Sequence, residues 1–127
     1  MSVKEHWKKD PEEHDFPAAS NYLTLLVTET EAAQIVERLR SAPLVERKAK
    51  DLLRASGLAA LPVDNTHVAK DLQKVRNGQK LSPVLLVRGD ITRGAHLIIA
   101  DGYHRICASY LLDEDADIPC RLADLRP

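Results

Sequence analysis

The chain has 127 residues, enough for one domain, and its 18 Lys and Arg against 19 Asp and Glu give a formal net charge of −1. This balance excludes a global basic field that would draw the protein onto nucleic acid or an anionic membrane. There is no run of roughly eighteen apolar residues for a membrane span, and Cys107 and Cys120 have no zinc-motif or disulfide-framework spacing, so we expect a soluble, cytoplasmic protein.

Residues 1–20 are rich in Lys, Glu, His, Asp and Pro. They have too little apolar surface for a core of their own, and we interpret them as a polar N-terminal arm. Trp7 and Phe16 are the exceptions, and we expect them to attach the arm to its own domain or to a second copy of the chain. Residues 21–127 then form a single domain.

A strand and two helices are predicted next. The apolar run YLTLLV, residues 22–27, has the composition of a buried strand. Thr28 and Glu31 have the spacing of a capping box and start an amphipathic helix that ends before Pro43. Its predicted inner face is Ala32, Ile35, Val36 and Leu39. A second helix with a basic side is predicted over residues 44–56.

The rest of the chain alternates helices and strands. A third helix is predicted from about Asn65 to Asn77, closed by Gly78. The apolar runs at residues 84–87 and 97–100 predict a buried hairpin. The helix after it is expected to bury Ile106, Cys107, Tyr110 and Leu111, and residues 118–122 predict a last strand. The sequence therefore predicts a small α+β domain, with a mixed sheet of about four strands packed with about four helices.

The stretch IIADGYHRICASYLL, residues 98–112, places polar residues where a strand ends and a helix begins. The first N–H groups of a helix have no intrahelical partner and carry partial positive charge, so this end attracts anions. Gly102 lets the backbone approach a ligand closely, Arg105 suits phosphate or carboxylate, and His104 can donate to phosphate or move a proton. Asp101 can orient His104, hold Mg²⁺ or accept a proton from a hydroxyl.

A purely structural interpretation of the same residues is also open. In it, Asp101 caps the helix and Gly102 serves only the turn. His104 and Arg105 then pair with the acidic surface at Glu114 and Asp115.

Residues 61–122 resemble the ParB and sulfiredoxin superfamily. The resemblance lies in a helix ending in Gly, a strand led by Pro83, the stretch LIIADGYHRICASYLL and the strand IPCRL. The matching corner of ParB-type partition proteins reads like GERRxRA and binds the phosphates of CTP. In sulfiredoxins it reads GGCHR, in which the Cys is the catalytic residue and the His and the Arg bind the phosphate of ATP. In free-serine kinases it reads DGHHR, which is nearest to DGYHR.

The resemblance implies the fold of that superfamily and a nucleotide or phosphate site formed by Gly102, Tyr103, His104 and Arg105. Asp101 occupies the kinase-like position. His67 lies in the first turn of the third helix, where superfamily members bring residues near the ligand.

Two departures from the motifs of this superfamily argue against two of its activities. Tyr103 stands where a sulfiredoxin needs its cysteine, which argues against sulfiredoxin activity, and Cys107, one turn further on, is expected in the core. No helix-turn-helix is predicted in these residues, which argues against chromosome partition in the ParB manner.

Lys50 and Arg54 lie one turn apart on the second predicted helix. They can add a second positive group to a bound phosphate, or they can lie in solvent.

We carry three hypotheses. In the first, the corner binds a nucleotide or a phosphorylated small molecule. Its kinase-like version uses a nucleoside di- or triphosphate with Mg²⁺, with His104 and Arg105 stabilising the transferring phosphoryl group and Asp101 as base or metal partner. In the second, the chain is a ParB-like DNA-binding or nuclease domain, against which the near-neutral charge counts. In the third, it is a non-catalytic adaptor or homodimer with a vestigial anion site.

Overall fold

The structure is a computed structural model that describes residues 6–127. Residues 1–5 of the predicted arm lie outside this range. The described residues form five α-helices and four strands: α1 (Asp15–Leu23), α2 (Glu29–Ser41), β1 (Leu44–Lys48), α3 (Ala49–Ser56), α4 (Thr66–Arg76), β2 (Val84–Val87), β3 (Ile98–Asp101), α5 (Tyr103–Leu112) and β4 (Asp117–Ala123). The predicted small α+β domain is confirmed.

The four strands form one mixed sheet in the order β1-β4-β2-β3. Strand β2 pairs antiparallel with β3, which confirms the predicted hairpin, and parallel with β4. Strand β1 pairs antiparallel with the other side of β4. The sheet edge at β3 leads directly into α5, so the corner that the sequence singled out lies at the end of an edge strand.

Helices cover both faces of this sheet. Val84 and Leu86 pack with the core under α3, α4 and α5, whereas Leu85 and Val87 pack with the core under α1 and α2. Because successive side chains of a strand point to opposite faces, a strand buried on both sides reads as an unbroken apolar run. This explains the sequence VLLV in β2.

Helix α2 confirms Thr28 as the predicted cap, but the Glu31 carboxylate accepts from the Thr28 hydroxyl and not from its amide, so the second bond of a capping box is not formed. The Thr28 side chain accepts a hydrogen bond from the Glu31 amide at 3.2 Å, and all four predicted inner residues are buried. Such a cap satisfies one of the free amides of the first turn. None of the helices in residues 6–127 combines the length and the apolar character needed to cross a membrane.

We expect Thr28→Ala to lower the free energy of unfolding by about 1 kcal/mol, because it removes the acceptor of the Glu31 amide. Urea denaturation measures the change. The control is Thr30→Ala, an exposed position two residues further along the same segment. Equal effects of the two substitutions would contradict the capping role.

The strand predicted over residues 22–27 is wrong. Helix α1 extends to Leu23, and a turn follows it. Phe16, Ala19 and Leu23 are buried at helical spacing, whereas Leu25 is 80% exposed. A short apolar run does not distinguish strand from helix, and here the helical packing on the sheet decides.

The N-terminal residues are packed onto the domain. Trp7 is buried in the core under α4 and α5, beside Leu81, and Phe16 is buried in the opposite core. The predicted boundary at residue 20 falls inside α1. Both aromatic residues therefore attach this segment to its own domain.

The helix predicted over residues 44–56 is wrong in its first half. Residues 44–48 form β1, and the helix begins only at Ala49. Val45 has helical spacing with Ala49 and Leu52, but pairing with Cys120 of β4 satisfies its backbone in extended form. Gly57 ends α3 in the left-handed conformation.

The buried face of α5 is also shifted from the prediction. Ile106 and Cys107 are buried as expected, but Ala108 and Ser109 are buried too, while Leu111 is 43% exposed. Helix α5 packs against both α3 and α4, so its buried surface is wider than a single stripe.

Candidate functional site

The corner between β3 and α5 is built around Gly102. Its φ of 109° is a backbone conformation that residues other than glycine rarely adopt. A Cβ at this position would lie 2.4 Å from Val84 Cγ1 in β2, so the backbone also passes too close to the sheet for any side chain. No side chain caps α5, which leaves the first amides of the helix directed out of its end.

Arg105 is fixed in this corner by two carboxylates. Its Nη2 donates to Asp101 Oδ2 at 2.9 Å, and its Nη1 lies 3.9 Å from Oδ1 of Asp15 in α1. The Asp15 side chain is 3% exposed and the Arg105 side chain 17%. The Arg105 Nε is buried and has no acceptor among the described residues. A buried donor without an acceptor is unfavourable, so the packing of Arg105 at this corner has a cost in stability.

Helix α4 supplies the facing wall. His67, Lys70, Asp71 and Lys74 occur at i, i+3, i+4 and i+7 and therefore share one helical face. Together with Asp101, Gly102, His104 and Arg105 they line an open cleft of about 230 Å³. No carboxylate within residues 6–127 forms an ion pair with Lys70 or Lys74. Two free ammonium groups thus face the N-terminus of α5.

Two imidazoles stand side by side in the cleft. The ring centroids of His67 and His104 are 4.6 Å apart, with the planes tilted by 41°. Burial, and to a smaller degree the neighbouring His67, lowers the pKa of His104. His104 is therefore uncharged at neutral pH, when it serves as a neutral donor or acceptor.

Two carboxylates also line the cleft, and both are affected by burial. Burial raises the pKa of Asp71 and that of Asp101, and in each case the nearby Arg105 opposes the shift. They differ in their partners, because Asp101 is hydrogen-bonded to Arg105 whereas Asp71 has no ion pair within the described residues. The permanent positive charge of the cleft comes from Lys70, Lys74 and Arg105.

Two of the predicted site residues lie elsewhere. Lys50 forms an ion pair with Asp115 at 2.6 Å and lines a different depression, beside Tyr110. Tyr103 is turned away from the cleft, and its hydroxyl donates to the carbonyl of Ala59. The structure therefore brings together five of the seven predicted residues, namely Asp101, Gly102, His104, Arg105 and His67.

The purely structural alternative also fails in its details. Gly102, not Asp101, is the N-cap residue of α5, and the Asp101 carboxylate binds Arg105 instead of capping the helix. The acidic Asp115 is paired with Lys50 and not with Arg105.

The residues of the corner do not form a site for a metal ion. Among the described residues no group of three or more His, Cys, Asp or Glu side chains is arranged to hold one. One oxygen of Asp101, Oδ2, accepts from Arg105 at 2.9 Å. We therefore assign no step to Mg²⁺.

The cysteines are part of the core. Cys107 and Cys120 are fully buried, as predicted for Cys107. Burial raises the pKa of Cys107 and raises that of Cys120 to about 11, so both thiols stay protonated at neutral pH. Neither lines the cleft.

Four residues at the site were not singled out from the sequence. Lys70, Asp71 and Lys74 could have been found from their helical spacing with His67, on the side next to the apolar face of α4. Asp15 carries no such signal, because nothing in the first twenty residues indicates that α1 packs beside Arg105.

No protein-family model matches the chain, and comparisons with curated proteins and with solved structures find no match. The resemblance of residues 61–122 to the ParB and sulfiredoxin superfamily stays a prediction that rests on those residues.

Proposed function

We propose that the protein binds the phosphate groups of a nucleotide or another phosphorylated small molecule in the cleft between α4 and the N-terminus of α5. One observation carries this proposal: Lys70 and Lys74, which form no ion pair within residues 6–127, line the same cleft of about 230 Å³ as Arg105 and the uncapped N-terminus of α5. Phosphate oxygens are the acceptors that such a set of donors favours.

Binding is better supported than phosphoryl transfer. A kinase-like reaction needs a base near the acceptor hydroxyl. The predicted base, Asp101, already accepts a hydrogen bond from Arg105 through its Oδ2. The transferase version therefore stays a prediction. We place the binding activity in the cytoplasm, since two buried free thiols suit a reducing compartment.

The first test is a thermal-shift screen of phosphate-containing ligands against the whole chain. A ligand present at a hundred times its dissociation constant stabilises the folded state by about 2.7 kcal/mol, which is readily measured. We expect inorganic diphosphate or a nucleotide to raise the melting temperature. An unchanged melting temperature with all mono-, di- and triphosphates would contradict the proposal.

The second test assigns the site. We expect Lys70→Ala combined with Lys74→Ala to lower the affinity for inorganic diphosphate at least about tenfold in calorimetry. Both positions are exposed on a helix, where alanine is well tolerated, so the melting temperature should not fall. The matched control is Lys50→Ala, which removes a lysine outside the cleft and should change the affinity less than twofold. Equal losses in the two variants would move the site away from α4.

A further inference from the structure

The proposed function does not specify which part of a phosphorylated ligand the protein recognises. We infer that the cleft selects its ligand by a short chain of phosphate groups alone, so that the ligand class is a polyphosphate whose attached group, a nucleobase included, is not recognised. This inference rests on the proposed function and narrows it to a class of ligand.

The size of the cleft is the first argument. Pockets that enclose an organic ligand usually measure about 300 to 1,000 Å³. The cleft between α4 and α5 measures about 230 Å³ and is open to solvent. It has room for phosphate groups, whereas a complete nucleoside polyphosphate would extend beyond it.

The chemistry of the lining is the second argument. Organic ligands are held mainly by apolar and aromatic side chains, with a few polar groups that fix their orientation. Apart from Gly102, every residue that lines this cleft has a charged or imidazole side chain. There is no apolar wall against which a base or a sugar could be buried.

The lining residues also offer little aromatic surface for stacking. Proteins hold bases chiefly on the faces of aromatic rings. The two imidazoles of the cleft, His67 and His104, are packed against each other. The neighbouring ring of Tyr103 is directed toward the loop at Ala59, to which its hydroxyl is bonded, and does not line the cleft. The two imidazoles are small rings that partly cover each other, so they offer a base little surface on which to stack.

The experiment compares inorganic tripolyphosphate with ATP, GTP, CTP and UTP by calorimetry on the whole chain, at one pH and ionic strength and without divalent cations. We expect that none of the four nucleotides binds more than about fivefold tighter than tripolyphosphate. We also expect the Lys70→Ala and Lys74→Ala double variant to lose affinity for all five ligands by the same factor, because the phosphates make the same contacts in each. A nucleotide that binds more than fivefold tighter than tripolyphosphate overturns the inference.

The same data distinguish a failure of this inference from a failure of the proposed function. If one nucleotide is strongly preferred and the double variant binds it more weakly, the proposed phosphate site is supported and only the predicted indifference to the base is wrong. If neither tripolyphosphate nor any nucleotide binds, the proposed function fails and the inference fails with it.

Discussion

Arg105→Ala is expected to lower the free energy of unfolding by about 3 kcal/mol and to remove measurable binding of inorganic diphosphate. The guanidinium lies 2.9 Å from Asp101 and 3.9 Å from the buried Asp15, and these two carboxyl groups are themselves neighbours. Without it, two carboxylates face each other at a site that excludes most water, with no cation between them. Removing one partner of a buried ion pair is far more destabilising than removing an exposed one.

Urea denaturation measures this loss, and Arg54→Ala is the matched control. Arg54 is also on a helix and also pairs with a carboxylate, Asp51 at 3.7 Å, but its side chain is 81% exposed. The free energy of unfolding of the control should stay within about 0.5 kcal/mol of that of the original protein. Adding Asp101→Asn to Arg105→Ala should restore part of the lost stability, since it removes one of the uncompensated charges. A stability of Arg105→Ala equal to that of Arg54→Ala would contradict the buried-pair assignment.

Gly102→Ala is expected to destabilise the fold by about 3 kcal/mol or more, from two additive causes. A left-handed backbone conformation is unfavourable by roughly 1 to 2 kcal/mol for a residue with a Cβ. The new methyl group would also lie 2.4 Å from Val84 Cγ1 and 2.9 Å from Arg105 Nη2, and overpacking of this kind costs typically about 1 to 3 kcal/mol. Because the strand β2 is central in the sheet, it cannot move away without disturbing its neighbours.

Gly94→Ala separates the two causes. Gly94 has a φ of 67°, but nothing lies within 4 Å of its hypothetical Cβ. It should therefore show only the backbone effect, about 1 kcal/mol. The difference between the two variants in chemical denaturation then measures the close approach at the corner together with the more strained φ of Gly102, 109° against 67°. Equal effects would mean that the contact with Val84 is not restrictive.

The elements that were predicted correctly carry their information locally. Helix α2 has a Thr cap, an apolar face of regular spacing and a proline beyond its end, and α4 has an Asn cap that accepts two amide hydrogen bonds. The hairpin of β2 and β3 follows from two unbroken apolar runs. In each case the side chains that stabilise the element lie within a few residues of it, so a single sequence suffices.

The two wrong assignments concern segments whose conformation is decided by distant partners. Residues 44–48 follow a helical pattern, but pairing with β4, which is far away in the sequence, makes them a strand. Residues 22–27 have strand composition, but Phe16 and Leu23 are buried on a helix that packs against the sheet. Propensity is weak compared with such long-range packing.

The candidate site divides in the same way. The stretch from Asp101 to Arg105 determines the part of the cleft that α5 contributes. A strand, a glycine with positive φ and a helix N-terminus follow one another in the chain, and this order places the amides, His104 and Arg105 together. The other half depends on the packing of α4 and α1 against α5, which brings Lys70, Lys74 and Asp15 to the same corner. That packing results from the burial of apolar faces, which is non-directional, so the spacing of the charged residues indicates which side of a helix they share but not what that side faces.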